Sequence, residues 1–137
     1  MNCQPTVLIV DDERHILNTL SRTLRSKNYR LLTTDSAKTA VDIVNSRPVD
    51  LVIADLKRPV LNNHQLMRIV RLISPRTQCI IPGATDSCRA RKTELKNREI
   101  DALIAKPWNR DDLKQTIRFT LAAKLSRYQA NLYQMTG

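Results

Sequence analysis

No stretch of this sequence approaches the roughly 18 consecutive apolar residues that a membrane-spanning helix requires, and no basic stretch leads into an apolar run at the N-terminus as a signal peptide would need. The reading is a cytoplasmic chain with no membrane partner. Cysteine is scarce: Cys3, Cys79 and Cys88 are an odd number without metal-ligand spacing, so neither a disulfide framework nor a zinc site is expected. Aromatic residues are also few. Three Tyr, one Trp and one Phe set among 23 Lys and Arg do not form the aromatic-interleaved platform that single-stranded nucleic acid stacks on. Internal repeats, low-complexity tracts and interior linkers are absent as well.

What is present fits one compact domain. The chain has 137 residues, 42% hydrophobic and 26% charged, within the range of ordinary globular domains and long enough to bury a single core around a sheet. The net charge of +10 is compatible with nucleic acid, acidic lipid or an acidic protein partner. Because the basic residues are spread along the chain, a solvated basic surface is the simpler reading, and direct nucleic-acid binding is not expected.

Five alternations of strand and helix follow from the apolar pattern. Thr6 to Val10 is a branched apolar run that stops at two acids, as a buried parallel strand ending at a loop would. Ile16, Leu17, Leu20 and Leu24 recur at helical spacing between Glu13 and Lys27. Tyr29 to Thr34 reads as a second strand, and Ser36 as the N-cap of a helix burying Ala37, Ala40, Val41 and Val44. Leu51 to Ala54 forms a third strand that delivers Asp55 to its C-terminal end. A loop with Pro59 leads to a helix carrying Leu66, Ile69, Val70 and Ile73, and Cys79 to Ile81 make a fourth strand. A polar, basic helix is expected over about Asp86 to Arg98, a fifth strand over Ala102 to Ala105, and a long final helix capped by Asn109 with Asp111 and Asp112 in its first turn. Parallel strands need right-handed crossovers, so this alternation predicts a doubly wound five-stranded parallel sheet, flavodoxin-like, in a three-layer sandwich.

In such sheets the functional crevice lies beyond the C-terminal strand ends. Asp11 and Asp12 follow the first strand, Asp55 ends the third and Lys106 follows the fifth, so three carboxylates and an ammonium are expected at one edge. Two like charges about 4 Å apart repel by about 4 kcal/mol at an effective dielectric near 20. A cation is therefore implied, and hard oxygen ligands with positions left for water and phosphate suit Mg²⁺ or Mn²⁺. A carboxylate so masked can attack an electrophilic phosphorus, with Lys106 neutralising the transferred oxygens. Any one of these residues alone would read as a helix cap or a solvated side chain; the set of four carries the argument.

The runs Leu8 to Glu13 (LIVDDE), Val49 to Pro59 (VDLVIADLKRP) and Ala105 to Trp108 (AKPW) resemble the three signature segments of response-regulator receiver domains. The resemblance covers about Thr6 to Leu121. It implies that Asp55 is the phosphoacceptor, that Asp11, Asp12 and Asp55 hold Mg²⁺ together with the backbone carbonyl of Lys57, that Lys106 contacts the phosphoryl group, and that the Lys106–Pro107 peptide is cis. It also implies a donor, a sensor histidine kinase or phosphotransfer protein, and an output reached through the fourth helix, fifth strand and fifth helix. The Lys-Pro-Trp ending looks most like receivers that precede cyclic-dinucleotide or HD-type phosphohydrolase domains.

The sequence departs from that pattern at its switch positions. Where the family has Thr or Ser at the end of the fourth strand, this chain has Gly83, followed by Ala84 and then Thr85 two residues on. The usual aromatic residue three positions before the lysine is Leu103, Asn63 replaces a common glycine, and Pro82 removes a donor from an interior strand. Gly83 and Leu103 favour a rival, a degenerate receiver that binds a partner without phosphorylation. A haloacid-dehalogenase-type phosphotransferase, the other rival, wants an acid two residues after its nucleophile, where this chain has Lys57. The receiver is assigned residues 1–124. Leu125, Tyr128, Leu132 and Met135 then follow at heptad-like steps, so 125–137 is expected to extend the last helix, into a homodimer or toward an output domain. The chain is not expected to be an enzyme beyond promoting its own phosphorylation and dephosphorylation.

Overall fold

The computed structural model describes residues 4–25, 28–56, 63–83, 102–105 and 111–122. Its elements are β1 (Thr6–Asp11), α1 (Arg14–Leu24), β2 (Arg30–Thr34), α2 (Ala37–Ser46), β3 (Leu51–Asp55), α3 (Asn63–Ile73), β4 (Gln78–Gly83) and β5 (Ala102–Ala105), with a further helix over residues 111–122. The expected fourth helix, the Asn109 cap, Trp108 and the segment 125–137 lie outside the described residues.

All strand pairs are parallel, in the order β2-β1-β3-β4-β5. The fold is the flavodoxin-like one that the alternation predicts. The strands β1 to β4 alternate their side chains between two cores. Leu8, Val10, Val52, Ala54, Cys79 and Ile81 face α2 and α3, where they meet Ala40, Val44, Leu66, Met67 and Val70. Val7, Ile9, Leu51, Ile53 and Ile80 face the other way, against Leu17, Leu20 and Leu24 of α1 and Leu113 and Ile117 of helix 111–122. A strand buried on both faces has no polar side to show, which is why β1 and β3 read as continuous apolar runs.

Local signals set several boundaries. The Ser36 hydroxyl oxygen accepts the Thr39 N–H at 3.2 Å, capping α2 as its residue type predicts. At the N-terminal edge of the sheet, Asp50 ties three strands together: its carboxylate accepts the Thr6 N–H at 2.8 Å, its own N–H donates to the Thr6 carbonyl, and its carbonyl accepts the Gln78 N–H. Beside it, the buried Thr77 hydroxyl donates to the Val49 carbonyl at 2.6 Å.

Two differences from the apolar pattern are physical in origin. β4 runs Gln78–Gly83, longer than the three residues expected, because Pro82 and Gly83 still align with Ile104 and Ala105 although Pro82 donates no hydrogen bond. Ile73, one of the apolar positions of this helix, is 37% exposed at the last residue of α3.

Tyr29 packs against the core of α1 and donates its hydroxyl to the carbonyl of Leu24 in the last turn of α1. Burial pushes its pKa above 10.0, partly offset by the nearby Arg118. Raised in the fold, this pKa means that the unfolded chain deprotonates first. The Tyr29 contribution is therefore whole below pH 10 and is lost as pH rises through the higher folded value. Tyr29→Phe should cost about 1 kcal/mol at neutral pH through the lost hydrogen bond and flatten the alkaline fall in stability. Urea titrations of both proteins at neutral and alkaline pH would check both effects.

Candidate functional site

β1 and β3 are neighbours through five consecutive rungs, from Val7↔Leu51 to Asp11↔Asp55. The last rung sets two aspartates side by side at the C-terminal edge, on backbones about 4.8 Å apart. Both continue the parity of Ile9 and Ile53, so both lie on the sheet face toward α1. This is also the point where the chain winds from β1 outward in both directions, the crevice position of open parallel sheets.

Both carboxylates are buried, Asp11 completely and Asp55 to within 6% of full burial. Asp12 is half-buried. Asp11 stands in the strand as its last residue, not after it as the sequence suggests, because the ladder to Asp55 reaches that far. Its Oδ1 then accepts the Glu13 N–H at 2.9 Å, a side-chain turn that ends β1 and leads into α1. The rim carries more charge. Arg14 and Asp35 pair at 3.4 Å, and His15 approaches Glu13 at 3.2 Å, both at exposed positions where such pairs add little stability.

The other expected site residues divide by position. β5 ends at Ala105, immediately before Lys106 in the chain; Lys106, Pro107, Lys57, Ala84 and Thr85 lie outside the described residues. Gly83 closes β4 on a rung with Ala105, and Leu103 pairs with Ile81 on β5. Counting on from the Ile53↔Ile80 rung brings Pro82 level with Asp55 and Gly83 one residue beyond it. Neither residue type has a hydroxyl.

Among the described residues no three His, Cys, Asp or Glu side chains form a ready-made metal cage. The donor set nonetheless fits Mg²⁺. Two buried carboxylates on one rung, with Asp12 beside them, are hard oxygen ligands whose burial costs free energy unless a positive charge accompanies them. Mg²⁺ is held by one or two carboxylates with water and phosphate completing its shell, so a full protein cage is not required. The signal missed in the sequence is the rung itself, since residues 44 apart declare no register until their strands are paired.

Comparison with known proteins bears on the fold and the family. Residues 7–118 match the model of the response regulator receiver domain. The hydrogenase transcriptional regulatory protein HoxA of Cupriavidus necator is 34% identical over 122 residues, 88% of this chain and 25% of that protein. The chain thus spans about a quarter or less of the length of curated relatives such as HoxA and the Vibrio campbellii sensor kinase/phosphatase LuxN. Among solved structures, the signal receiver domain of an HD domain-containing protein from Pseudomonas fluorescens Pf-5 superposes with a TM-score of 0.81 at 26% identity, covering 94% of this chain and 95% of that one. A Rhodopirellula baltica structure described as adenylate cyclase reaches 0.85 at 22% identity, covering 96% and 98%, a likeness of fold.

The paired carboxylates give a direct test. Mg²⁺ at about ten times its Kd should stabilise the wild-type fold by about 1.4 kcal/mol. The gain should vanish in Asp11→Asn, as read from melting curves with Mg²⁺ and with chelator.

Proposed function

This chain belongs to the response regulator receiver domains, and from that premise we propose that it accepts a phosphoryl group on Asp55 from a sensor histidine kinase or phosphotransfer protein. The carrying observation is the Asp11↔Asp55 rung, which sets a buried carboxylate beside a second one at the crevice of the sheet. Asp11, Asp12 and Asp55, with the Lys57 carbonyl, would hold Mg²⁺. When bound, that ion supplies positive charge to the transferring oxygens and masks the carboxylates' repulsion.

The chain's own residues do the rest. An Asp55 oxygen attacks phosphorus in line as the bond to the donor imidazole nitrogen breaks, and the imidazole leaves. Asp11 is fixed by the Glu13 N–H, so it does not swing into the path of attack. Lys106, one residue beyond β5, stabilises the equatorial oxygens as charge builds on them. The domain is regulatory, and its only chemistry is its own acyl phosphate. The receiver proposed is residues 1–124, and the segment proposed to lead to a second copy or an output domain is 125–137. The location proposed is the cytoplasm, where its donors act.

The partner-binding reading without phosphorylation keeps one observation in its favour, the lack of a hydroxyl at both Pro82 and Gly83 together with Leu103 at the aromatic position. A ligand shifts a two-state equilibrium only by its difference in contacts between the states. One missing charge-assisted hydrogen bond removes roughly 1.5 to 3 kcal/mol of that difference.

Intact mass after incubation with Mg²⁺ and phosphoramidate should show one added phosphoryl group, lost in Asp55→Asn and with chelator, and formed roughly 100-fold more slowly in Lys106→Ala. No adduct with any small donor would favour the partner-binding reading. With beryllium fluoride as phosphoryl mimic, amide shifts should stay large beside Asp55 and small around Leu103. Comparable shifts over 84–104 would reveal another switch.

A further inference from the structure

The fold gathers charge that the sequence disperses. In a right-handed βαβ unit every helix ends, and every next strand begins, at the edge of the sheet opposite Asp55. Arg22 and Arg25 close α1, Arg30 opens β2, Arg47 follows α2, Arg76 precedes β4, and Arg118 lies in the second half of helix 111–122 beside Tyr29. All six are exposed. The one described acid at that edge, Asp50, accepts the Thr6 N–H through its carboxylate. Seven of the nine described acids, Asp11, Asp12, Glu13, Asp35, Asp55, Asp111 and Asp112, belong to the opposite edge.

The large apolar residues that the described fold leaves exposed lie at the arginine end too. Leu72 is 84% exposed and Ile73 37% in the last turn of α3, and Phe119 is 72% exposed next to Arg118. Arginines at helix C-termini complement the helix dipole, and that accounts for some of them. It does not account for Arg30, which opens a strand, nor for three exposed apolar side chains.

We propose that this arginine pole is a docking face for an anionic phospholipid bilayer surface. A membrane surface offers a broad plane of phosphates to guanidinium groups, which bind them in bidentate fashion, and an apolar boundary beneath the headgroups into which Leu72 and Phe119 insert. A nucleic-acid backbone satisfies the arginines and leaves Leu72 and Phe119 in water. The expectation of no membrane partner rests on the absence of a spanning segment; adhesion at the surface needs none. Docked by this pole, the chain turns Asp11 and Asp55 away from the bilayer, open to a phosphoryl donor.

The test is co-sedimentation of the full chain with vesicles of phosphatidylglycerol and phosphatidylcholine, against phosphatidylcholine alone, at low and high salt. Binding should require phosphatidylglycerol and weaken with salt. Each neutralised arginine should lower the partition coefficient about fivefold, so Arg22→Gln with Arg25→Gln should lower it about 25-fold. Leu72→Ser with Phe119→Ser should lower it by a similar factor, and Arg14→Gln at the opposite edge should leave it unchanged. Circular dichroism of each variant establishes that it is folded, and the single variants replace any double that is not. Absence of binding to anionic vesicles overturns the proposal. So does binding that ignores Leu72→Ser with Phe119→Ser and is competed away by a short DNA duplex, a result that would make the pole a nucleic-acid surface.

Discussion

Two carboxylates held side by side out of water are the constraint around which this molecule is arranged. Asp11 and Asp55 share the last rung of the β1–β3 ladder, and both are buried. Such a pair opposes folding unless something positive joins it. The chain accepts that cost at one point of its structure and surrounds the point with two well-packed apolar layers. Apolar rungs from Val7↔Leu51 to Val10↔Ala54 fix the strands that carry the pair. Local strain of this kind, held by a strong scaffold, is a common mark of a functional site.

Much of the fold was legible in the sequence because parallel strands buried on both faces leave an unmistakable trace. Thr6 to Val10 and Leu51 to Ala54 carry no polar residue after Thr6, and each stops at an aspartate. Ser36 announced its cap by residue type, and β5 was found at Ala102–Ala105. The pairing of Asp11 with Asp55 was legible only as an expectation of proximity. Nothing in the residues at 11 and 55 says which rung they share; the register is decided by how Val7 to Val10 pack against Leu51 to Ala54.

The arginine pole was illegible for a related reason. Along the chain, Arg22, Arg25, Arg30, Arg47, Arg76 and Arg118 look scattered. They stand near helix ends and strand starts, and the winding of the chain turns those places into proximity. Composition gives the amount of charge, and topology gives its location. The same winding sends the acids of the strand ends to the other edge, so one chain of net charge +10 presents two ends of different character.

The bonds that Asp50 makes to Thr6 and Gln78 hold the entries of β1, β3 and β4 together. Because side chains alternate along a strand, a slip of one residue between β1 and β3 would turn one of the two aspartates to the opposite face of the sheet. Asp50 thus acts as a start mark for a reading frame. It stands five residues before Asp55, about 17 Å along an extended strand, and has no contact with the chemistry. Its influence on the site is one of phase: added to the apolar packing of the two strands, it helps the count from Thr6 and the count from Asp50 arrive at Asp11 and Asp55 together.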